Sequence, residues 1–173
     1  MKSLRRRATR HTGTRRAAVA LVATALLAGC GGGGDEAYAA TELRTGEVVS
    51  IESLRGEPAL LVSWATWCRE CDEELAGLQE FAESDRAERL QIVAVNLDAA
   101  SVEDEIDAKI ERHGLTVDLW RDKRNRFKRE FAALGVPTTV LLDADGEVVA
   151  TFPGAIDFDQ EDVLAAIDEV TEP

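Results

Sequence analysis

The feature that most constrains the fold is a pair of cysteines placed between a buried strand and a helix. Residues Ala59–Trp64 form an almost continuous apolar run, which is typical of a strand buried on both faces of a sheet. Cys68 and Cys71 follow closely, and beyond them apolar residues recur at helical spacing. The segment therefore predicts a strand, a Cys-x-x-Cys turn and a helix over residues 71–86. The apolar helical positions are Leu75, Leu78, Phe81 and Ala82.

Two cysteines at this spacing can close a disulfide or expose an attacking thiolate over the first turn of a helix. Cys68 stands at the helix N-terminus, where free amides and the helix dipole lower the pKa of a thiol, so it is the predicted nucleophile. Cys71 lies one turn further in and is the predicted resolving thiol. Half of a zinc site and a static disulfide are the alternatives. Zinc has little support, because the chain holds only two histidines, His11 and His113.

The rest of the chain alternates strand-like and helix-like segments, which predicts an α/β domain. A small N-terminal hairpin is expected over residues 43–51. The elements then follow in the order β-α-β-α, hairpin, helix, and this order implies a central mixed β-sheet flanked by helices. The predicted strands are 59–64, 90–97, 115–120, 136–142 and 148–152, and the predicted helices are 71–86, 101–113, 125–134 and 159–170.

The N-terminus has the layout of a secretory signal peptide. A basic start leads into the short apolar run 17–28, and Gly29 precedes Cys30. The sequence Leu-Ala-Gly-Cys that ends at Cys30 resembles a bacterial lipobox, in which the cysteine is acylated and becomes the mature N-terminus. The alternative is a plain secreted or membrane-retained segment in which Cys30 is incidental. We predict a signal peptide over 1–29, a flexible Gly-rich tether over 30–40 and one folded domain over 41–173.

The charge of the chain is distributed unevenly. The formal net charge is −13, yet seven of the 20 basic residues and none of the 33 acidic residues lie in residues 1–29. The remainder is therefore more acidic than the total suggests, and its summed field should repel nucleic acid. We predict no nucleic-acid partner, and we expect any membrane association to depend on the lipid anchor at Cys30.

Three segments together resemble the TlpA/ResA-type branch of the thioredoxin superfamily. They are 63–71 (SWATWCREC), 135–139 (GVPTT) and the turn 143–146 (DADG). The resemblance implies a thioredoxin-like fold in which Pro137 is cis and packs against the disulfide, while the Val136 backbone offers strand-like hydrogen bonds to a substrate. Trp67, directly before the nucleophile, is expected to shield the sulfurs and to form part of the contact surface.

Proton transfer at the buried sulfur requires a nearby base. Thioredoxins carry an acid six residues before the first cysteine, but here that position is Val62. TlpA/ResA-type proteins that lack this acid carry a glutamate three residues after the second cysteine, and Glu74 matches that position. The alternative is that Glu74 only stabilises the first turn of an acid-rich helix. Arg69-Glu70, between the cysteines, departs from the common Gly-Pro or Glu-Pro.

These features predict a membrane-tethered, extracytoplasmic thiol-disulfide oxidoreductase with no metal or other cofactor. The resemblance implies that it reduces protein disulfides, including those of apocytochrome c, with electrons from a membrane thiol-disulfide carrier. One alternative is a Sco-type copper-binding assembly module, although such proteins use Cys-x-x-x-Cys and a distant histidine. The other is a peroxiredoxin, which needs a Thr-x-x-Cys site, whereas Thr66 lies only two residues before Cys68.

Overall fold

The structure is a computed structural model, and it describes residues 38–172. Seven strands form one mixed sheet in the order β2-β1-β5-β4-β3-β6-β7. The strands are β1 (Ala39–Glu42), β2 (Val48–Ser50), β3 (Ala59–Trp64), β4 (Gln91–Asn96), β5 (Asp118–Arg121), β6 (Thr138–Leu142) and β7 (Val148–Pro153). The helices are α1 (Glu70–Ala82), α2 (Glu103–His113), α3 (Arg126–Glu130) and α4 (Glu161–Thr171), with short 3-10 turns at Ile51–Leu54 and Asp85–Ala87. The predicted α/β fold with a mixed sheet and flanking helices is confirmed.

Strand β3 is an interior strand of the sheet, between β4 and β6, and all six of its residues are buried. It pairs in parallel with β4, where Trp64 is opposite Asn96, and antiparallel with β6, where Ser63 is opposite Thr138. Its side chains alternate between two apolar clusters, one on each face of the sheet. Both cysteines belong to the cluster that α1 and α4 cover. The carboxyl end of β3 thus delivers the Cys-x-x-Cys turn to the edge of a packed core.

The N-terminal hairpin differs from the prediction in its bounds. It consists of β1 and β2, and β1 begins at Ala39, two residues before the predicted domain start at residue 41. The cause is Tyr38, which is fully buried and packs edge-on against Phe127 and Phe131 at ring distances of 6.1 and 5.4 Å. The predicted signal peptide, Cys30 and most of the tether lie outside the described residues.

Two predicted helices are shorter in the structure. Helix α1 ends at Ala82 and is followed by the 3-10 turn, and the predicted helix 125–134 is reduced to α3. Asn125 and Ala132 adopt the left-handed conformation, with φ of 53° and 50°, and therefore interrupt helical geometry on both sides of α3. No helix in residues 38–172 has both the length and the apolar character that a membrane span requires.

Candidate active site

The Cys-x-x-Cys turn is held between β3 and α1 by Asp98, which follows β4. The Asp98 carboxylate accepts hydrogen bonds from the Thr66 amide at 2.8 Å and the Thr66 hydroxyl at 3.0 Å. It also accepts one from the Asn96 side chain at 2.8 Å. Asp98 is buried, so these bonds replace the water that its charge would otherwise bind. The carboxyl ends of two neighbouring parallel strands thereby fix the loop that carries the first cysteine.

Cys68 and Cys71 form a disulfide with their Cα atoms 5.4 Å apart. The two sulfurs are not equivalent, because Cys68 keeps 5% of its surface exposed whereas Cys71 is fully buried. The backbone amide of Cys71 points at Sγ of Cys68 over an N to S distance of 3.2 Å. An amide in this position at the start of α1 stabilises negative charge on the sulfur. The geometry therefore suits Cys68, and not Cys71, to carry a thiolate.

The loop before β6 closes the other side of the disulfide. The Val136–Pro137 peptide bond is cis, as the family resemblance implied, and Pro137 is buried. The carbonyl oxygen of Val136 lies 3.8 Å from Sγ of Cys68. Ser63 fixes this loop, since its hydroxyl donates to the Thr138 carbonyl at 2.9 Å and accepts from the Thr138 amide at 2.8 Å. Val136 and Pro137 thus stand beside the accessible sulfur.

Apolar side chains are exposed near the disulfide. Trp67, one residue before Cys68, is 68% exposed, so most of its side chain faces solvent. Leu134, two residues before Val136, is almost completely exposed. Sequence reasoning missed Leu134, because an exposed leucine in a loop leaves no periodic signal. Large exposed apolar side chains beside a reactive group are typical of a contact surface.

Glu74 is buried on α1, one turn beyond Cys71. Its Oε1 accepts hydrogen bonds from the Thr139 hydroxyl at 3.1 Å and the Ile156 amide at 3.3 Å, while Oε2 is buried without a partner. Burial raises the pKa of this carboxyl to about 7, although the two hydrogen bonds act in the opposite direction. Glu74 also lines a cleft of about 370 Å³ beside residues 155–158. A carboxyl in this state can take up or release a proton near neutral pH.

Sequence reasoning missed Lys109, which reaches the Cys-x-x-Cys turn from α2. Its Nζ donates to the carbonyl of Cys68 at 2.9 Å and to that of Ala65 at 3.3 Å, and it pairs with Asp72 at 3.3 Å. His113, the last residue of α2, has Nε2 2.8 Å from the same carboxylate. A signal existed, since Lys109 falls at helical spacing among the apolar positions of α2, where a lysine needs a buried partner. The stripe comprises Ile106, Lys109, Ile110 and His113.

The part of the chain that the structure describes contains no candidate metal site. No group of three or more histidine, cysteine, aspartate or glutamate side chains is placed there to hold an ion.

A family model described as the AhpC/TSA family matches residues 34–151, which is more than half of the chain. The chain belongs to the AhpC/TSA family. The thioredoxin-like protein YneN of Bacillus subtilis is 30% identical over 105 residues, covering 60% of this chain and 61% of that protein. The thiol-disulfide oxidoreductase ResA of Oceanobacillus iheyensis is 30% identical over 112 residues, covering 65% and 57%. This member of the AhpC/TSA family thus spans about three fifths of the length of these two relatives.

A solved structure supports the thioredoxin-like fold. The crystal structure of StoA from Bacillus subtilis matches with a TM-score of 0.62 at 25% identity, and the match covers 78% of this chain and 96% of that one. The thioredoxin-like fold and the resemblance to TlpA/ResA-type proteins are therefore confirmed.

Proposed function

We propose that this protein is a thiol-disulfide oxidoreductase that reduces disulfides in protein substrates. The observation that carries the proposal is the difference in exposure and hydrogen bonding between the two cysteines. Sγ of Cys68 is the more exposed sulfur, accepts a hydrogen bond from the Cys71 amide and lies beside the Val136 carbonyl. This arrangement provides an attacking thiolate, a resolving thiol within disulfide distance and backbone polar groups for a bound segment. The kinship with proteins named thiol-disulfide oxidoreductases supports it.

The reaction begins with the reduced protein. The Cys68 thiolate attacks one sulfur of the substrate disulfide, the substrate S–S bond breaks, and a mixed disulfide forms as one substrate thiolate leaves. Cys71 then loses its proton and attacks Sγ of Cys68, so that the mixed disulfide breaks and the second substrate thiol leaves. Two electrons pass to the substrate, and the protein ends with the Cys68–Cys71 disulfide. An external dithiol must reduce it again before the next turnover.

Glu74 is assigned to proton transfer with Cys71. Residues three apart on a helix are neighbours on one face, so the carboxyl faces the same side of α1 as the buried sulfur. Resolution requires the Cys71 thiol to lose a proton inside an apolar core, where water has no direct access. A carboxyl whose pKa burial raises to about 7 is ionised often enough at neutral pH to accept that proton. Its cleft gives the proton a route to solvent.

Substrate docking is assigned to the surface around Cys68. The backbone of Val136 beside Pro137 offers hydrogen bonds to an extended substrate segment, in the manner of an added strand. Trp67 supplies an exposed apolar face for side chains that flank the substrate disulfide.

The N-terminal sequence and the family support a proposal for the location and the partners. Residues 1–30 support export and acylation of Cys30, which would tether the domain at the outer face of a membrane. A membrane thiol-disulfide carrier is then the reductant within reach, and apocytochrome c is a substrate that the TlpA/ResA-type resemblance supports. Replacement of Cys30 by Ala tests the tether: the protein should move from the membrane fraction to the soluble fraction, and unchanged membrane retention would contradict acylation.

The activity itself is tested with a fluorescent peptide disulfide and the reduced full-length chain. Wild type and the Cys30→Ser control should reduce the peptide at the same rate, whereas Cys68→Ser should be inactive. Cys71→Ser should form a stable mixed disulfide with the peptide, which mass spectrometry detects. Full activity of Cys68→Ser would rule out the mechanism. A peroxide-consumption assay on the same preparation examines the peroxiredoxin alternative.

A further inference from the structure

Lys109 is an unusual residue because its ammonium group is enclosed. The side chain is 5% exposed, and Lys109 and Arg121 are the two buried basic residues in residues 38–172. Burial of an ammonium group is costly unless each donor finds an acceptor. Nζ has three acceptors within 3.3 Å: the carbonyls of Ala65 and Cys68 and the carboxylate of Asp72.

All three acceptors belong to the segment that carries the redox pair. Lys109 comes from α2, 41 residues beyond Cys68 in sequence, and ends on the carbonyl of Cys68 itself. The carbonyl oxygen of Cys68 is separated from Sγ by four covalent bonds, so the ammonium group bound to that oxygen lies within about 8 Å of the sulfur. In a buried site such a charge acts with little screening by solvent. The contact therefore holds the turn and also favours the ionised form of the Cys68 thiol.

Asp72 provides the opposing charge. Its carboxylate pairs with Lys109, accepts the His113 ring contact at 2.8 Å and has the exposed Arg112 at 3.7 Å. Burial alone would raise the pKa of this carboxyl, but the hydrogen bonds and charges of His113 and Lys109 lower it below its usual range. Asp72 is thus ionised and partly neutralises Lys109. The remaining charged groups of the turn, Arg69 and Glu70, extend into solvent.

We propose that Lys109 is a positioning residue that stabilises the Cys68 thiolate and so sets the reduction potential of the disulfide, with Asp72 as the counter-charge that limits this effect. The proposal deepens the proposed thiol-disulfide function, on which it rests. Reduction of the Cys68–Cys71 disulfide creates the thiolate, so a nearby cation favours the reduced form and makes the protein a stronger oxidant. Removal of the Lys109 charge and removal of the Asp72 charge must therefore shift the reduction potential in opposite directions.

The test uses four full-length chains in a Cys30→Ser background: the parent, Lys109→Met, Lys109→Arg and Asp72→Asn. The first readout is the rate of iodoacetamide alkylation of Cys68 as a function of pH. The second is the fraction of disulfide in buffers of defined glutathione ratio. Neither readout requires turnover of a protein substrate, so failure of the proposed function and failure of this inference are distinguishable.

Lys109→Met should lower the alkylation rate near neutral pH about tenfold, since an opposite charge close to an ionisable group typically changes its ionisation by at least that factor. It should also move the glutathione equilibrium toward the disulfide by up to tenfold, which is about 30 mV for a two-electron couple. Asp72→Asn should change both readouts in the opposite direction, and Lys109→Arg should restore much of the parental behaviour.

Three results would overturn the inference. One is an unchanged alkylation profile in Lys109→Met with only a loss of thermal stability, which would make the lysine purely structural. Another is a change of the same sign in Asp72→Asn. The third is an alkylation rate and a disulfide fraction in Asp72→Asn that equal those of the parent, which would refute the role of Asp72 as counter-charge. If Lys109→Met does not fold, Asp72→Asn and Lys109→Arg still test the inference.

Discussion

Replacement of Glu74 by Gln should change the pH dependence of stability in a direction that the structure specifies. Burial raises the pKa of Glu74 from 4.5 to about 7 in the folded protein, whereas the unfolded chain keeps the ordinary value. Between these two pH values the unfolded chain releases the proton before the folded chain does. The folded state therefore has its full stability below about pH 4.5 and loses this contribution as the pH rises through 7. Glutamine cannot ionise, so the Glu74→Gln variant should not lose this stability as the pH rises.

The size of the effect follows from the difference between the two pKa values. A gap of about 2.5 pH units, at about 1.4 kcal/mol per unit, amounts to about 3 kcal/mol once the pH is well above 7. Wild type and Glu74→Gln should therefore have similar free energies of unfolding at pH 4, while at pH 8 the variant should be more stable by about 3 kcal/mol. Such a gain is a large fraction of the stability of an ordinary domain.

Urea denaturation from pH 4 to pH 9 measures this difference. The protein should be in the disulfide form, in which neither Cys68 nor Cys71 titrates. Glu73→Gln removes the same charge from an exposed neighbour on α1 and controls for the change in net charge. A constant difference between wild type and Glu74→Gln over the whole pH range would refute the reasoning, because it would mean that Glu74 ionises as readily in the folded as in the unfolded chain.

Three further predictions concern the reaction and the loop. Glu74→Gln should slow the resolution step, measured by single-turnover thiol release, by about a hundredfold, the usual scale for loss of a proton-transfer group; an unchanged rate would remove Glu74 from the mechanism. Trp67→Ala should raise KM for a protein disulfide severalfold but leave the reduction of a small aromatic disulfide nearly unchanged; equal effects on both would contradict a docking role. Asp98→Ala leaves three hydrogen-bond donors around the loop without their acceptor and should cost about 2–4 kcal/mol in urea denaturation, whereas the exposed Asp107→Ala should cost far less.

Much of the fold was predictable because its signals are local. Ala59–Trp64 is the strand that its apolar run predicts, and α1 begins at the cysteine pair, as the change to helical spacing indicates. The bounds were less predictable where the backbone conformation interrupts the periodicity. Asn125 and Ala132 illustrate this, because their left-handed conformation shortens α3 without any change in the apolar pattern around them.

The site was predictable where it lies within one stretch of chain. The Cys-x-x-Cys spacing is visible in the sequence, and the predicted difference between the roles of Cys68 and Cys71 follows from their positions along the helix. The resemblance to TlpA/ResA-type proteins predicted a role for Glu74, but its raised pKa was not predictable, since Thr139 and the Ile156 amide reach it from 65 and 82 residues away. The pKa of a carboxyl depends on such partners and on burial, and neither can be inferred from the residues adjacent in sequence.

The amino-acid sequence alone predicted strand β3, the Cys-x-x-Cys pair and which of the two cysteines stands at the helix N-terminus, because each depends on contacts within a turn or a strand. Only the tertiary structure decided which side chains meet at Cys68. Asp98 reaches the loop because β4 pairs in parallel with β3, and Lys109 reaches it because α2 packs beside α1. The charged groups around the Cys-x-x-Cys turn thus depend on sheet order and helix packing, which bring together residues that are 32 and 41 positions apart in the chain.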